Sequence, residues 1–223
     1  MAAKRDAART MARILAAGMK EFSEKGLAGA RVDKIARRSG LNKNMIYHYF
    51  RSKEGLFEAV LERMYTTIRE RQNDLAIRDL EPEEGMRKLI EVTFDAFAER
   101  PEFISLINTE NLCKAQHVRR SPKILALYDP LIETIGELLK RGAANGVFRP
   151  GVDPVDLYIS IVSLGEYYLS HRYTLSALLK TDLMAETRLK QRYAHVVDVV
   201  LSYLRPPPAN PARKPRASAL AEA

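Results

Sequence analysis

Cysteine is nearly absent from this sequence, which has one cysteine among 223 residues. That residue, Cys113, excludes an intramolecular disulfide framework and a multi-cysteine zinc or iron–sulfur site. Long apolar runs are also missing, since no stretch approaches the roughly 18 residues that a membrane-spanning helix needs. The N-terminus carries charges where a signal peptide would need its apolar stretch. These absences predict a soluble cytoplasmic protein with no membrane partner.

Strand signals and catalytic motifs are absent as well. No alternating runs rich in Val, Ile and Thr lie between turn residues. Phosphate-binding glycine loops, serine-nucleophile motifs and paired-histidine zinc motifs are missing from residues 54–204. The chain does have an ordinary globular composition, 46% hydrophobic and 8% aromatic, with enough length for a sizeable core. We therefore predict a protein that is not an enzyme and uses no cofactor.

The apolar spacing and the positions of Pro and Gly predict an all-α protein of about nine helices. The predicted helices cover residues 5–25, 32–39, 43–50, 53–76, 82–100, 101–117, 121–145, 153–172 and 184–204. A change in composition near residue 53 predicts a small basic domain, 1–53, and a larger helical domain, 54–204. The Pro- and Ala-rich segment 205–223 is predicted to be a disordered tail.

Positive charge is concentrated at one end of the chain. The sequence holds 36 Lys and Arg against 28 Asp and Glu, a net charge of +8. Residues 1–53 hold 13 of the basic and four of the acidic residues, so this stretch carries +9 and the rest carries −1. Such a basic end is either a solvated segment or a surface for a polyanion such as nucleic acid.

Residues 30–57 have the spacing of a helix-turn-helix. Ala36 is small where two helices approach closely, Gly40 lies where a turn needs a positive φ, and Ile46 points back between the helices. Asn42 is a good N-cap for the second helix. The predicted small core contains Phe22, Leu27, Val32, Ile35, Leu41 and Phe50.

The second helix of this pair carries the side chains that fit DNA. A helix in the major groove presents its N-terminal residues to base edges. Lys43 can donate to guanine, Asn44 can pair with adenine, and Met45 can touch a thymine methyl. Contacts to the DNA phosphates position the protein without reading the base sequence. The predicted phosphate contacts are the hydroxyls of Tyr47 and Tyr49, the ammonium of Lys53, and His48 if its ring does not pack against the protein instead.

This segment resembles the TetR family of bacterial transcriptional repressors. The family pattern Leu-Tyr-x-His/Tyr-Phe-x-x-Lys is matched by Ile-Tyr-His-Tyr-Phe-Arg-Ser-Lys at residues 46–53, and the likeness is specific over about residues 8–57. The resemblance implies a homodimer that blocks transcription at a palindromic double-stranded operator and that a small organic effector releases. It also implies base contacts from Lys43 and Asn44, and phosphate contacts from Tyr47, Tyr49 and Lys53.

The segment departs from the family pattern at two places. Asn44 and Met45 stand where the family often has Gly and Thr, which predicts a different operator preference. Ala30 and Arg31 replace the Thr/Ser pair usual at the start of the preceding helix. The replacement removes a hydroxyl cap and supplies a cation, Arg31, that can seek a phosphate.

The resemblance implies that residues 54–204 bind the effector and form the dimer. Polar residues inside apolar helices suggest a pocket, because a buried amide or imidazole needs a partner that a ligand can supply. The alternative is that these groups face solvent or bond to the backbone. The predicted polar lining is Asn108, Asn111, Ser163, Tyr168 and His171, with walls from Phe94, Phe97, Phe103, Tyr128, Ile132 and Tyr167.

Two further patterns lie in this larger domain. Glu110, Cys113 and His117 share one helical face, but a metal site there would need a fourth ligand, so we predict none. The last two predicted helices carry broad apolar stripes from Val155 to Leu164 and from Tyr193 to Leu204. These stripes are wide enough for both a core and a partner face, and the family pairs these helices with their mates in a four-helix bundle.

Two other functions stay open at this stage. A small helical enzyme with a nucleic-acid-binding end would need a nucleophile–base pair or a metal cluster, and turnover of a small molecule would reveal it. An architectural DNA-binding protein without an effector would show sequence-independent affinity with a steep salt dependence. The 150-odd residues of the larger domain exceed what dimerisation alone needs, which argues against the second of these functions.

Overall fold

A computed structural model describes residues 2–74 and 76–207 of the chain. This part of the chain is helical throughout and contains no strand, so the all-α prediction is confirmed. Its helices are α1 (Ala2–Gly29), α2 (Val32–Ser39), α3 (Lys43–Phe50), α4 (Lys53–Asp74), α5 (Pro82–Glu99), α6 (Glu102–Leu112), α7 (Pro122–Leu125), α8 (Asp129–Ala144), α9 (Pro154–Ser170), α10 (Arg172–Leu179) and α11 (Glu186–Leu204). Single 3-10 turns at Ile77–Asp79 and Val118–Arg120 join some of them.

The first four helices agree closely with the prediction. α2 and α3 begin and end at the predicted residues. The expected stop at Gly26 is a break inside α1, where φ is 63° and the helical path changes direction. Gly40 ends α2 with a φ of 66°, and its N–H donates to the carbonyls of Ala36 and Arg37. The local turn chemistry of this segment is therefore as the sequence predicts.

The later helices differ from the prediction at three places. The helix expected over 101–117 is shorter, because α6 ends at Leu112. The single helix expected over 121–145 is split into α7 and α8. Pro130 lacks the N–H that a continuous helix would bond to the Ala126 carbonyl. An unpredicted helix, α10, follows α9; it is short and buries none of its side chains. Most of the predicted tail, residues 208–223, lies outside the described residues.

The first hydrophobic core joins the helix-turn-helix to the helices that follow it. Phe22 of α1, Ile35 of α2 and Ile46 of α3 are fully buried in this core. It continues along α4 and includes Phe103 and Leu106 of α6 and Ile124 of α7. The rings of Phe22 and Phe57 meet edge to face, with centroids 5.1 Å apart. The basic N-terminal helices therefore share one core with the first part of the larger domain.

The rest of the chain forms two more cores. The larger one is built from α5, α8, α9 and α11 and contains Ile90, Ile135, Leu157 and Val200. A smaller cluster joins α5, α6 and α9 through Phe97, Ile104 and Leu169, together with Leu183, which precedes α11. No helix within residues 2–74 and 76–207 has the length and apolar character to cross a bilayer.

A glycine on α8 provides a test of this packing. A Cβ added at Gly142 would lie 2.0 Å from Cδ2 of the buried Phe148 ring. We expect Gly142→Ala to lower the free energy of unfolding by about 2 kcal/mol, because the ring has to move within a filled core. Chemical denaturation measures this change.

The matched control for that variant is Gly136→Ala on the same helix. A Cβ at Gly136 meets nothing within 4 Å. This variant should be unchanged or more stable by up to about 1 kcal/mol, because alanine favours a helix over glycine. Equal stabilities of the two variants would contradict the packing of Phe148 against Gly142.

Candidate functional site

The exposed face of α3 is the principal candidate site. Lys43, Asn44, Tyr47 and His48 are exposed along this short helix, and Tyr47 has 45% of its surface accessible. Met45 and Tyr49 are half-buried beside them. The opposite face of α3 carries Ile46 and Phe50 into the first core. All six predicted contact residues of α3 therefore lie on this one helix, with four of them exposed and two half-buried.

Local hydrogen bonds hold α3 in place. The Asn42 side chain caps the helix, because its Oδ1 accepts from the N–H of Met45 at 3.0 Å. In the preceding turn, Arg13 Nη2 donates to the Ser39 carbonyl at 2.6 Å. Ile46 is fully buried between the helices, as its spacing predicts. Because its cap, turn and inner face are all anchored, α3 presents its outer side chains on a fixed frame.

Two basic residues flank this face. Arg31 lies at the N-cap of α2 and makes no side-chain cap; its backbone N–H donates instead to Oε1 of the buried Glu21 at 3.3 Å. The guanidinium of Arg31 stays exposed. Lys53 is half-buried, and its Nζ lies 3.4 Å from the carbonyl oxygens of Ala28 and Ala30. Lys53 thus ties the start of α4 to the end of α1.

The ion pair of Lys43 is weak. Its Nζ lies 4.0 Å from Oδ1 of Asp33, and both side chains are more than half exposed. An exposed pair at this distance contributes little to stability. Lys43 is therefore able to leave Asp33 for a stronger partner.

The predicted pocket residues do not converge on one cavity. Asn108, Asn111, Ser163, Tyr167 and His171 are all exposed, so the premise that they are buried is wrong. Asn111 donates to the Ile107 carbonyl at 3.1 Å, and the His171 ring stacks on Tyr167 at 4.2 Å. These residues face away from the core because polar positions in an amphipathic helix more often mark its solvent side.

The apolar members of that predicted pocket are distributed among different cores. Phe103 belongs to the first core, Ile132 packs against the largest one, and Phe97 and Tyr168 belong to the smallest. Phe94 is buried and packs near Tyr193, with ring centroids 6.1 Å apart. Tyr168 is buried, but its hydroxyl donates to the Leu183 carbonyl at 2.7 Å. Its polar group therefore needs no ligand.

A buried arginine that the sequence did not single out lies near the C-terminal end of α4. Arg69, on α4, is 5% exposed. Its guanidinium lies 4.4 Å from the Tyr128 ring centroid, and its Nη2 donates to the Tyr158 hydroxyl at 3.2 Å. Tyr65 and Tyr128 meet edge to face, as do Tyr128 and Tyr158. We call Arg69, Tyr65, Tyr128 and Tyr158 the arginine–tyrosine cluster.

The tyrosine hydroxyls of this cluster have raised pKa values. Burial raises the pKa of the Tyr128 hydroxyl far above its ordinary value, and the coulombic effect of Tyr158 acts in the same direction. Burial likewise raises the pKa of Tyr65. Both hydroxyls, which are neutral at physiological pH in any case, therefore stay neutral further into the alkaline range. Two of these neutral rings, Tyr128 and Tyr158, contact the guanidinium of Arg69.

A cavity of about 380 Å³ adjoins the cluster. It lies between the end of α4, the 3-10 turn at Ile77–Asp79, α5 and the segment that joins α7 to α8. Arg69 forms part of its wall, and the remaining lining is mostly apolar. Its lining residues are Arg69, Ala76, Ile77, Arg78, Asp79, Leu89, Ala126, Leu127, Pro130, Leu131 and Thr134. This volume suits a small organic ligand.

A second concave surface lies outside the core, between α9 and α11. This groove of about 460 Å³ is lined by residues that include Ile159, Ser163, Val199 and Tyr203. Ile159 is 54% exposed and Tyr203 is 49% exposed. Leu157 and Val200 are buried beneath them. The two predicted stripes therefore cover a core face and also leave apolar side chains on an outer face.

Glu110, Cys113 and His117 do come together in the structure. One ligand atom from each lies within 4.8 Å of the others. The buried Glu110 carboxylate already accepts hydrogen bonds from the backbone N–H groups of His117 and Val118, and it lies 2.7 Å from His117 Nδ1. These bonds close the turn after α6, which gives Glu110 and His117 a structural role.

Comparison with known protein families finds two matching models. Residues 14–60 match the model for bacterial regulatory proteins of the tetR family. Residues 82–200 match the model for a tetracyclin-repressor-like C-terminal domain. The two matched segments contain the helix-turn-helix and most of the larger helical domain.

Individual proteins extend this similarity to nearly the whole chain. The HTH-type transcriptional repressor NicS of Pseudomonas putida is 34% identical over 197 residues, which cover 88% of this chain and 93% of NicS. A transcriptional regulator of known structure from Streptomyces coelicolor is 29% identical, with a TM-score of 0.67 over 88% of this chain and 99% of that one. A TetR regulator from Chloroflexus aurantiacus is 26% identical, with a TM-score of 0.69 over 90% and 98% of the two chains.

Proposed function

The chain belongs to the TetR family of ligand-responsive, DNA-binding transcriptional repressors, and from this membership we propose how its own residues act. A homodimer places one α3 in the major groove of each half of a palindromic operator and blocks transcription. A small organic effector binds the larger domain and releases the dimer. The exposed, firmly anchored face of α3 is the observation that supports this proposal most directly.

The residues of α3 divide into two roles in this proposal. Lys43 and Asn44, in the first turn, contact base edges, with Met45 against a thymine methyl. A second group contacts the phosphates on either side and sets the register of the helix in the groove: Arg31, Tyr47, His48, Tyr49 and Lys53. Phosphate contacts also explain the concentration of positive charge in residues 1–53.

The dimer in this proposal forms through α9 and α11. Two copies that pair these helices about a two-fold axis would bury Val155, Ile159, Val199 and Tyr203, which are all exposed in the single chain. Residues 1–53 then form the DNA-binding head, and residues 54–204 form the dimer and bind the effector. The protein acts by binding and not by catalysis, in the cytoplasm, where bacterial operators lie.

The first test is to map the DNA fragments that the purified protein binds across the genome, at near-physiological salt. A palindromic site beside a few genes is expected, and it supplies the operator for later experiments. Diffuse binding that is lost at modest salt would favour an architectural protein instead.

Two substitutions then test the placement of α3. Lys43→Ala should lower discrimination at one base pair of the operator by about tenfold, because it removes a base contact. Lys53→Ala should weaken binding by a similar factor at every sequence, because it removes a phosphate contact. Fluorescence anisotropy with the operator and single-base variants separates these outcomes. If neither variant changes binding, α3 is not the recognition helix.

A further inference from the structure

The N-terminal part of α1 carries a row of arginines. Arg5, Arg9 and Arg13 follow one another at intervals of four residues, so their side chains lie along one side of the helix. All three are exposed, and the described segment from residue 5 to residue 13 contains no buried side chain. Ile14, the next residue, is fully buried in the first core. We call Arg5, Arg9 and Arg13 the arginine row.

Arg13 anchors this row at the helix-turn-helix. Its Nη2 donates to the Ser39 carbonyl at 2.6 Å, and a Cβ at Gly40 would lie 2.8 Å from the same nitrogen. Arg13 therefore lies against the turn between α2 and α3, and α3 begins three residues after Gly40. Arg9 and Arg5 lie about 6 and 12 Å further along α1 toward its N-terminus. The arginine row thus starts beside the recognition helix and continues away from the core.

The acidic residues of the head leave this row with its positive charge. Three of the four acidic residues in residues 1–53 form ion pairs elsewhere: Glu21 and Glu24 with Arg38, and Asp33 with Lys43. Arg5 and Arg9 have no ion pair or side-chain hydrogen bond with any residue that the structure describes. Because like charges one helical turn apart repel each other, a polyanion against this side of α1 would be favourable.

We propose that Arg5 and Arg9 bind DNA phosphates next to the base pairs that α3 reads. This inference rests on the proposed function, since it adds a second contact surface for the same operator. A guanidinium can donate two parallel hydrogen bonds to a phosphate. Successive phosphates of one DNA strand are about 3.4 Å apart along the axis, so the row of about 12 Å spans three to four of them.

Salt dependence is the measurement that tests this role. A protein that neutralises a phosphate releases counterions, so each contact contributes about 0.9 to the slope of log affinity against log salt concentration. The proposed dimer carries two copies of each side chain. Arg5→Gln and Arg9→Gln should therefore each reduce the steepness of this slope by about two. Discrimination against single-base variants of the operator should stay unchanged, because phosphate contacts carry no sequence information.

Lys140→Gln, on α8, is the matched control for the loss of charge. Lys140 is exposed, as the two arginines are, and it lies outside residues 1–53. This variant should keep the wild-type slope. Arg9→Lys keeps the charge and should also keep most of the slope. Fluorescence anisotropy at several salt concentrations gives the slopes, and circular dichroism checks that each variant is folded.

Ethylation of the operator phosphates locates the contacts. Some phosphates should block the wild type when ethylated but have no further effect on Arg9→Gln. We expect these phosphates to lie beside the base pairs at which Lys43→Ala loses discrimination, and not among them.

Two results would overturn the inference: both arginine variants keep the wild-type slope, or Lys140→Gln lowers it as much as they do. A lower slope in Lys53→Ala beside unchanged slopes in the arginine variants would refute the arginine row and leave the proposed function standing. The same titrations on a duplex of unrelated sequence cover the opposite case. Lower slopes there, in a protein that has no palindromic site, would refute the proposed function and leave the phosphate contacts standing.

Discussion

Gly55→Ala should abolish tight operator binding while leaving most of the larger domain folded. Gly55 lies in the first turn of α4, shortly after the end of α3. A Cβ at this position would lie 2.3 Å from the Phe50 carbonyl oxygen, which belongs to the backbone and cannot rotate away. That oxygen also accepts from the Ser52 N–H at 2.7 Å. The junction between α3 and α4 must therefore open to admit a methyl group.

Gly55→Ala should lower both the stability and the operator affinity of the protein, because it disturbs the junction between α3 and α4. We expect a loss of about 2 kcal/mol or more in unfolding free energy, because backbone has to move and not a side chain. Operator affinity should fall by about a hundredfold, because the dimer needs both recognition helices in place. Differential scanning calorimetry and fluorescence anisotropy measure the two changes.

Gly29→Ala is the control for this substitution. It lies in the same head, and its added Cβ would make an ordinary contact of 3.6 Å with Lys25. This variant should keep both its stability and its affinity. Wild-type operator binding by Gly55→Ala would show that α3 and α4 are not rigidly joined.

Ile159→Glu should convert the proposed dimer into monomers. Ile159 is 54% exposed and lines the groove between α9 and α11. A carboxylate buried in this groove by a partner chain would find no cation among the lining residues, which is strongly unfavourable. Operator affinity should then fall by about a hundredfold, because the two half-sites are no longer bound by one linked molecule. Sedimentation velocity gives the oligomeric state.

Leu112→Glu is the matched control on α6. Leu112 is 86% exposed, more than Ile159, and it belongs to neither helix of the groove. The same change of charge there should leave both the dimer and the operator affinity intact. A dimeric Ile159→Glu protein would place the interface elsewhere, whatever its DNA affinity.

The helix-turn-helix could be predicted to the residue because its determinants are local. The Asn42 cap, the positive φ of Gly40 and the buried Ile46 all act within a few residues of their own position. The exposed side of α3 follows directly, because fixing the buried side of an eight-residue helix fixes the other one.

The interior of the larger domain could not be predicted in the same way. Arg69 follows Tyr65 by four residues, so both lie on the same face of α4. That spacing was the one feature of the sequence that could have indicated the burial of Arg69. Its burial depends on Tyr128 and on Tyr158, which is 89 residues away in sequence. Asn111 and His171 were predicted to line a pocket but are exposed. Position in a helix alone does not reveal which side of it the neighbouring helices cover.

The first core has a consequence for how regulators of this kind could exchange parts. It joins Phe22 and Ile46 of the head to Phe103 and Ile124, which lie well beyond residue 53. A chimera that joined this head to a foreign larger domain at that residue would cut through a shared interior and pair surfaces that had not been fitted to each other. New operator preferences are more readily reached by substitution on the exposed side of α3, where Lys43 and Asn44 have no packing to preserve.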